Sequence, residues 1–285
     1  GLLFLAAAFM SYINLNLHWV DMPPTLPPDC YSVPGVYDAA NLTGCGAFAD
    51  AGRLAIFGAT NNIMTRGQMT CMAVGLCTCA SAIKVFGRER VVYWREAAGL
   101  AQPMHSVAYF LGKDLAVMPQ ILLGPLLYGI IFTAMSANLG DFGCLYLVLL
   151  GVSFSSYSIG YIVSIATPPS LSQLVGVVVV FCMSAFDGAL PTIPDLHKAN
   201  FPLNLGFEHL SYLTPALKAF YDNEAGPWVP VARSANIDMV KFAQDTFGYH
   251  PGDWGPNVGI LFFWGVGLRV VGIVLVHLKD TNKKL

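Results

Sequence analysis

The chain has 285 residues, of which 55% are hydrophobic and only 11% are charged. Soluble domains usually carry about 25% charged residues. The composition therefore excludes an ordinary soluble enzyme or nucleic-acid-binding module, and it predicts an all-α integral membrane protein that crosses the bilayer several times. The formal net charge of −2 says little by itself, whereas the positions of the charges between apolar segments carry information about topology.

A helix that crosses a membrane needs about 20 predominantly apolar residues. Six segments meet or approach this requirement, and we predict membrane spans at 1–20, 67–83, 104–134, 142–166, 171–186 and 256–278. The first begins at Gly1 inside an apolar run and lacks the basic region and cleavage site of a signal peptide. We therefore expect the sequence to be a fragment of a longer protein whose first span starts further upstream.

The segment at 21–66 is predicted to be an outer loop, because its first part is rich in proline and has no Lys or Arg before Arg53. Cys30 and Cys45 could form a disulfide there, and Asn41 begins an Asn-Leu-Thr sequon that could be glycosylated on the outer side of a membrane. Two free cysteines and an unused sequon are the alternative, and the sequence leaves both open.

The distribution of Lys and Arg predicts the orientation, because these residues are enriched in short cytoplasmic flanks. Four of them lie at 84–103 and three in the tail after residue 278, whereas 21–52 and 136–141 have none. We therefore predict that 84–103 and the C-terminus are cytoplasmic, and that 187–255 is a second, larger outer loop before the last span. A plasma membrane and an internal membrane fit this arrangement equally.

The segment at 84–103, which we call the elbow, packs charge more densely between two apolar stretches than any other part of the chain. Part of it is compatible with a short amphipathic helix that leads through Gln102 and Pro103 directly into the next span. Such a helix, joined rigidly to two spans, is suited to being pushed by a soluble motor domain, and a solvated positive-inside loop is the alternative. The residues we single out in the elbow are Arg88, Arg90, Arg95, Glu96 and Gly99.

No catalytic or metal-binding motif is evident. The sequence has no HExxH, GxSxG or GxxxxGK[S/T] pattern, so we predict no catalytic site and no phosphate-binding loop in this chain. The Cys77-Thr78-Cys79 spacing suggests a pair of metal ligands, but no His or acid lies near them in sequence, and Cys is a common small apolar residue in helix interfaces. We therefore expect no metal site.

Three charged residues fall inside predicted spans. Lys113 and Asp114 lie about two turns into the third span, and Arg269 lies midway along the last. An ionisable group at membrane depth costs at least about 2.5–3.5 kcal/mol unless it is paired or near an interface. We expect Arg269 to extend along the helix to the inner head groups. For Lys113 that route and a polar contact with Glu96 of the elbow both remain open.

Four motifs together resemble the transmembrane domain of the G subfamily of ABC transporters, an ABC-2 type membrane domain of the white and pleiotropic drug resistance type. The elbow at 90–99 is similar to the family's F-x-x-E-x-x-x-G segment, and 109–119 is similar to the opening of its third helix. The sequence F-D-G-A-L at 186–190 resembles F-S-G-L-L, and 210–224 resembles an outer-loop motif that ends in Asn-Glu. The similarity covers 67–285 and rests on the order and spacing of the four motifs.

The resemblance implies a six-helix domain of the type II exporter class, with a cytoplasmic coupling elbow and a large outer loop before the last helix. It implies a half-transporter that forms a homo- or heterodimer, and a nucleotide-binding domain that holds ATP and Mg²⁺ outside this chain and acts through Glu96. Ala189 and Leu190 would form the outer gate. The second and fifth helices would line the substrate cavity, with cavity positions at Cys71, Val74, Leu76, Thr78, Phe181, Ser184 and Ala185.

Two departures from the family pattern concern the outer gate. Asp187 stands where the family has a small hydroxyl, and Ala189 stands where it has a bulky residue. The leading hypothesis is the membrane domain of an ATP-driven exporter of lipid-like or amphipathic small molecules, in contact with membrane lipids. The alternatives are a standalone ABC-2 permease that recruits a separate ATPase, and a membrane scaffold or receptor that does not transport.

Overall fold

The structure, a computed structural model, describes residues 5–9, 45–87, 105–136, 140–189, 192–194, 211–229, 239–250 and 252–281. Within these ranges the regular structure is helical throughout, which confirms the predicted fold class. A helical segment at 5–9 lies within the predicted first span. The remaining helices are α1 Cys45–Gly87, α2 Ser106–Met135, α3 Phe142–Ala166, α4 Pro169–Ala185, α5 Leu213–Ala225, α6 Met239–Phe247 and α7 Trp254–Thr281, with a 3₁₀ turn at Gly226–Trp228.

Four helices in the described part of the chain are long and apolar enough to cross a membrane: α1 from Thr60 to Phe86, α2, α3, and α7 as far as Leu278. The fifth apolar helix, α4, has 17 residues and is shorter than a usual span. The number of spans in the whole chain, predicted to be six, therefore stays a prediction.

The start of α1 corrects one prediction. The segment 45–66 was expected to belong to an outer loop, but it is helical, and the membrane-crossing part of α1 begins at Thr60 rather than at residue 67. The segment at 60–66 is rich in polar residues. In the structure, however, Thr60 and Arg66 are buried, because α5 packs against this part of α1. A polar residue does not end a helix when a neighbouring element covers it.

Local sequence sets the ends of α3 and α4. The Asp141 side chain accepts a hydrogen bond from the Gly143 N–H at 2.8 Å and so caps the start of α3. Pro168 and Pro169 end α3 at Ala166 and start α4, since a proline is tolerated at the first turn of a helix and not inside it. At the other end of α4, Gly188 adopts a φ of +85°, which permits a sharp turn.

The bundle is organised around α3, which packs against α1, α2 and α7. Small residues allow the close approach: a Cβ atom on Gly160 would lie 2.5 Å from the Ala82 Cβ, and one on Gly151 would lie 2.6 Å from a Leu261 methyl carbon. Serine hydroxyls of α3 then bond to carbonyl groups of its neighbours, as Ser155 does to Leu261 at 2.8 Å. This is the packing expected between helices in a membrane.

The predicted outer loop at 187–255 is not irregular throughout, since it contains α5 and α6. Ten of the thirteen residues of α5 are buried, and Phe220 shares a hydrophobic core with Val74 of α1 and Phe132 of α2. The helix is thus inserted into one end of the bundle. We call this the α5 end; it is the end at which α3 begins and α4 stops.

Candidate functional site

A buried ion pair lies inside the membrane-spanning part of the bundle. Asp114 on α2 accepts two hydrogen bonds from the Nε of Arg269 on α7, at 3.2 Å to Oδ1 and 3.0 Å to Oδ2. The two residues are only 7% and 8% exposed. The expectation that Arg269 extends to the inner head groups is therefore wrong. A carboxylate on a neighbouring helix makes the long route to the membrane surface unnecessary.

The same arginine also bonds to α3. Its Nη1 donates to the Ser158 hydroxyl at 2.6 Å and to the Phe154 carbonyl oxygen at 3.0 Å. Its guanidinium carbon lies 3.5 Å from the centroid of the Phe154 ring, in a cation–π arrangement. The ion pair thus joins α2, α3 and α7. Lys113, the neighbour of Asp114, is half-buried, and its contact with Glu96 stays a prediction because Glu96 lies outside the described residues.

A second pair of buried charges lies at the α5 end, and the sequence interpretation missed it. Arg66 on α1 is 4% exposed and Glu224 on α5 is 1% exposed, and the two charges interact electrostatically. The Arg66 guanidinium also lies 5.7 Å from the centroid of the Phe132 ring on α2. One signal was available: Arg66 is the single Lys or Arg between Arg53 and Lys84, and a lone cation in an apolar stretch requires a partner.

Three consecutive residues tie α5 to three different parts of the bundle. Asp222 accepts hydrogen bonds from the Gly252 N–H at 3.0 and 3.1 Å, just before α7. The Asn223 side chain accepts from the Asp141 N–H at 3.1 Å and donates to the Asp141 carbonyl oxygen at 3.2 Å, just before α3. Glu224 faces α1. The α5 end is therefore held together by side chains of one short helix.

The turn at 186–189, which follows α4, carries a buried acid. Asp187 is 2% exposed, and burial raises the pKa of its carboxyl group to about 6. Its Oδ1 accepts from the Gln68 Nε2 of α1 at 3.3 Å and from the Ala189 N–H at 3.0 Å. Its Oδ2 accepts from the Ser184 hydroxyl at 3.4 Å. The carboxyl group thus connects the end of α4 to α1.

The predicted cavity positions differ in their surroundings. On α1, Cys71, Val74 and Thr78 are buried in the core of the chain itself, and Leu76 is half-buried. On α4, Phe181 and Ala185 are exposed, whereas Ser184 is buried and bonds to Asp187. Phe181 and Ala185 are thus the positions of this set that are exposed on the single chain. The assignment of all seven to a cavity stays a prediction.

Several predicted sites lie outside the described residues. They include the possible glycosylation site Asn41, one half of the possible disulfide, one gate residue and the elbow residues; Cys45 is described only as the first residue of α1. The other gate residue, Ala189, is buried. Within the described ranges, no group of three or more His, Cys, Asp or Glu residues could hold a metal ion. The predicted site residues that lie outside the described ranges are Cys30, Asn41, Arg88, Arg90, Arg95, Glu96, Gly99 and Leu190.

These features define an integral membrane protein with several apolar helices, with two buried pairs of opposite charges inside the described bundle and a non-spanning helix α5 at one end. The chain belongs to the ABC-2 type transporter family, whose sequence model matches residues 49–283. The resemblance to the membrane domain of this family is thereby confirmed.

Relatives named as a white-brown complex homolog and as ABC transporters support the G-subfamily resemblance. The chain is 32% identical over 116 residues to a putative white-brown complex homolog protein 30 of Arabidopsis thaliana, covering 40% of this chain and 10% of that protein. It is 30% identical over 129 residues to ABC transporter G family member 25 of Oryza sativa subsp. japonica, covering 45% and 12%. It is 24% identical over 153 residues to the ABC-type transporter claG of Penicillium crustosum, covering 53% and 19%. The alignments thus span a tenth to a fifth of the length of these relatives.

Proposed function

We propose that this chain is the membrane-spanning domain of an ATP-driven exporter of lipid-like or amphipathic small molecules. The observation that carries the proposal is the family match over residues 49–283, together with one relative named as a white-brown complex homolog and one named as a member of the ABC transporter G family. In this proposal the α5 end faces outward and the elbow faces the cytosol, where it contacts an ATPase domain of the same polypeptide or of a partner.

The exposed side chains of α1 and α4 support an apolar substrate. These two helices pack against each other, and their exposed positions include Met69, Leu174, Val178 and Phe181, each at least 40% exposed. Two copies facing each other through these helices would enclose a cavity with an apolar lining. Such a lining suits the acyl or ring portion of an amphipathic molecule, and methionine adapts its shape to different ligands.

The buried ion pair supports a route for coupling. The elbow joins the end of α1 to the start of α2, and Asp114 lies about two turns into α2. Since Asp114 is bonded to Arg269, and Arg269 is bonded to α3, a push on the elbow moves α2, α3 and α7 together. The side chain that receives this push in the proposal is Glu96.

The test is transport by the full-length protein in proteoliposomes, with a fluorescent short-chain phospholipid and an amphipathic dye as substrates. We expect ATP-dependent movement that Glu96→Ala reduces at least tenfold. Glu89→Ala, which removes another acid of the same elbow, is the matched control and should retain most of the activity. The proposal would be contradicted if the protein moved no amphipathic substrate in an ATP-dependent way.

Two other outcomes point to the alternative functions. Transport that appears only after a separate ATPase subunit is added would indicate a standalone permease. A protein that stays monomeric and moves no substrate with any ATPase would indicate a scaffold or receptor.

A further inference from the structure

Among the residues that the structure describes, the groups around Asp187 in the turn at 186–189 are neutral. Its hydrogen-bond donors are the amide of Gln68 on α1, the hydroxyl of Ser184 on α4 and the backbone N–H of Ala189. Three neutral donors partly replace the water that a carboxylate loses on burial. They do not cancel its charge, so the ionised form remains costly in this position.

Within the described part of the chain, α1, α5 and the segment 192–194 present side chains to the turn that carries Asp187. From α1 the titratable group is the Cys71 thiol, which interacts electrostatically with the carboxyl group. On α5, the Thr214 hydroxyl donates to the Phe186 carbonyl oxygen at 3.0 Å. Ile193, in the segment 192–194, packs on Gly188. Both of these side chains are neutral. Among the described residues, burial raises the pKa of Asp187, hydrogen bonds partly oppose this increase, and no cation contributes.

The nearest arginine along α1 serves a different partner. Arg66 precedes Gln68 by two residues, and positions two apart on a helix point in nearly opposite directions. Arg66 interacts with Glu224 and lies near the Phe132 ring. The two acids at the α5 end, Glu224 and Asp187, are therefore unlike: one has a cationic partner, and the other is held by neutral donors.

We propose that Asp187 is a proton-sensitive latch at the α5 end. When its carboxyl group is protonated, the turn at 186–189 stays packed against α1, as in the structure. When the group is ionised, an arrangement in which the turn separates from α1 and water reaches the carboxylate becomes favourable. One consequence rests on the proposed function: in an exporter, the latch would regulate the opening of the outer gate.

The direction of the effect follows from proton linkage. Burial raises the pKa of Asp187 from 3.8 to about 6, and a water-exposed carboxyl group returns to the lower value. The packed arrangement binds the proton more tightly, so protonation favours it fully below pH 3.8, and this advantage decreases as the pH rises and is lost above about pH 6. The two pKa values limit the total shift in the equilibrium to about a hundredfold.

In this movement the turn would separate from α1 while it stays bonded to α5. Gly188 has a φ of +85°, and a Cβ atom there would lie 3.0 Å from an Ile193 side-chain carbon. Ser211 and Thr214 bond to the Met183 and Phe186 carbonyl oxygens, at 2.6 and 3.0 Å. The end of α4 is thus attached to the start of α5, and the carboxyl group of Asp187 attaches the same turn to α1.

Accessibility of the Cys71 thiol tests the latch without ATP or substrate. Cys71 is 1% exposed and faces Asp187, so separation of the turn from α1 should expose it. The full-length protein in nanodiscs, with Cys71 as the single cysteine of this chain, is labelled with a small charged methanethiosulfonate between pH 5 and pH 8. The residues replaced by serine are Cys30, Cys45, Cys77, Cys79, Cys144 and Cys182.

The expected result is a ratio of labelling rates. The protein with Asp187 should be labelled about a hundred times faster than Asp187→Asn at pH 7.5, and this ratio should fall about tenfold by pH 5, because the exposed carboxyl group stays ionised down to its pKa of 3.8. Comparison at the same pH removes the general rise of thiol reactivity with pH. Loss of the charge next to Cys71 in Asp187→Asn would by itself speed labelling, which is opposite to the expected result. Asp245→Asn, which neutralises an exposed acid on α6, is the matched control and should behave as the parent does. A ratio that does not change with pH would overturn the proposal.

A second variant keeps the test decisive if Asp187→Asn does not fold. Gln68→Ala removes one donor to the carboxylate, so the midpoint of the labelling profile should move to higher pH. An unchanged midpoint would also overturn the latch. Because neither measurement requires transport, failure of the export proposal and failure of the latch are distinguishable: a protein can show the pH-dependent labelling and transport nothing, or the reverse.

Discussion

At the scale of single residues, the partners of Asp114 and Arg269 are the main point on which structure goes beyond sequence. The two residues are separated by 155 positions, and nothing in the sequence indicates that they meet. Each could be identified as costly in a membrane, since that follows from its charge and the apolar residues around it. The pairing that offsets this cost depends on how α2, α3 and α7 pack, and the local sequence does not determine that packing.

The ion pair should be far more sensitive to loss of one partner than to loss of both. Asp114→Leu leaves the Arg269 guanidinium buried without its carboxylate, which should cost about 3–5 kcal/mol, whereas Asp114→Leu with Arg269→Met should recover most of that loss. The measurement is chemical unfolding of the purified protein in detergent micelles. Asp253→Asn, at an exposed acid, is the control. A double variant as unstable as the single one would contradict the pairing.

At the scale of elements, α5 determines how the ends of the longer helices are arranged. Asn223 satisfies both the N–H and the carbonyl group of Asp141, the residue that caps α3. The neighbouring Gly140 lies so close to the Asn223 side chain that a Cβ atom there would overlap with it. The start of α3 is therefore fixed by a residue more than 80 positions later in the chain.

Removal of the Asn223 amide should loosen the start of α3. Asn223→Ala deletes two hydrogen bonds, each worth about 0.5–1.5 kcal/mol, so amide hydrogen exchange at 141–145 should accelerate by about tenfold. Asn257→Ala is a matched control, because the Asn257 side chain bonds only to Asp253 within its own turn in the described structure. Equal exchange at 141–145 in the two variants would show that the Asn223 contact does not hold α3.

The predicted boundaries were most accurate where proline or a capping residue marks the end of a helix. The predicted fourth span and α3 have the same bounds, 142–166, because Asp141 and the two prolines after Thr167 act locally. The start of α1 could not be found in this way. Thr60 and Arg66 are buried where α5 packs against α1, and the sequence alone cannot indicate which distant element covers them.

At the scale of the whole molecule, the exposed apolar surfaces are of two kinds. In the membrane-crossing windows of α2 and α7, 28% of residues are buried, against 61% in α1 and α3. The outer surfaces of α2 and α7 are thus suited to lipid. The proposed dimer would instead cover the exposed positions of α1 and α4, and this difference can be tested.

Cross-linking should distinguish the two surfaces. In a protein without other cysteines, Phe181→Cys on α4 should be joined to the same residue of a second copy by a bifunctional thiol reagent long enough to cross the proposed cavity, since a disulfide requires Cα atoms within about 7 Å. Phe263→Cys on α7, which replaces a residue that is 77% exposed, should not, because it faces lipid in the proposed dimer. Gel electrophoresis without reductant reads the result. Cross-linking through residue 263 in preference to residue 181 would place the interface on α7 and contradict the proposed arrangement.

The three consecutive ties from Asp222, Asn223 and Glu224 also constrain the length of the chain. Successive residues of an α-helix point about 100° apart and advance by about 1.5 Å, so the three side chains address three directions at once. A single residue inserted anywhere between Leu213 and Asp222 would turn all three away from Gly252, Asp141 and Arg66 together. Natural variants of this protein should therefore show almost no insertion or deletion within α5.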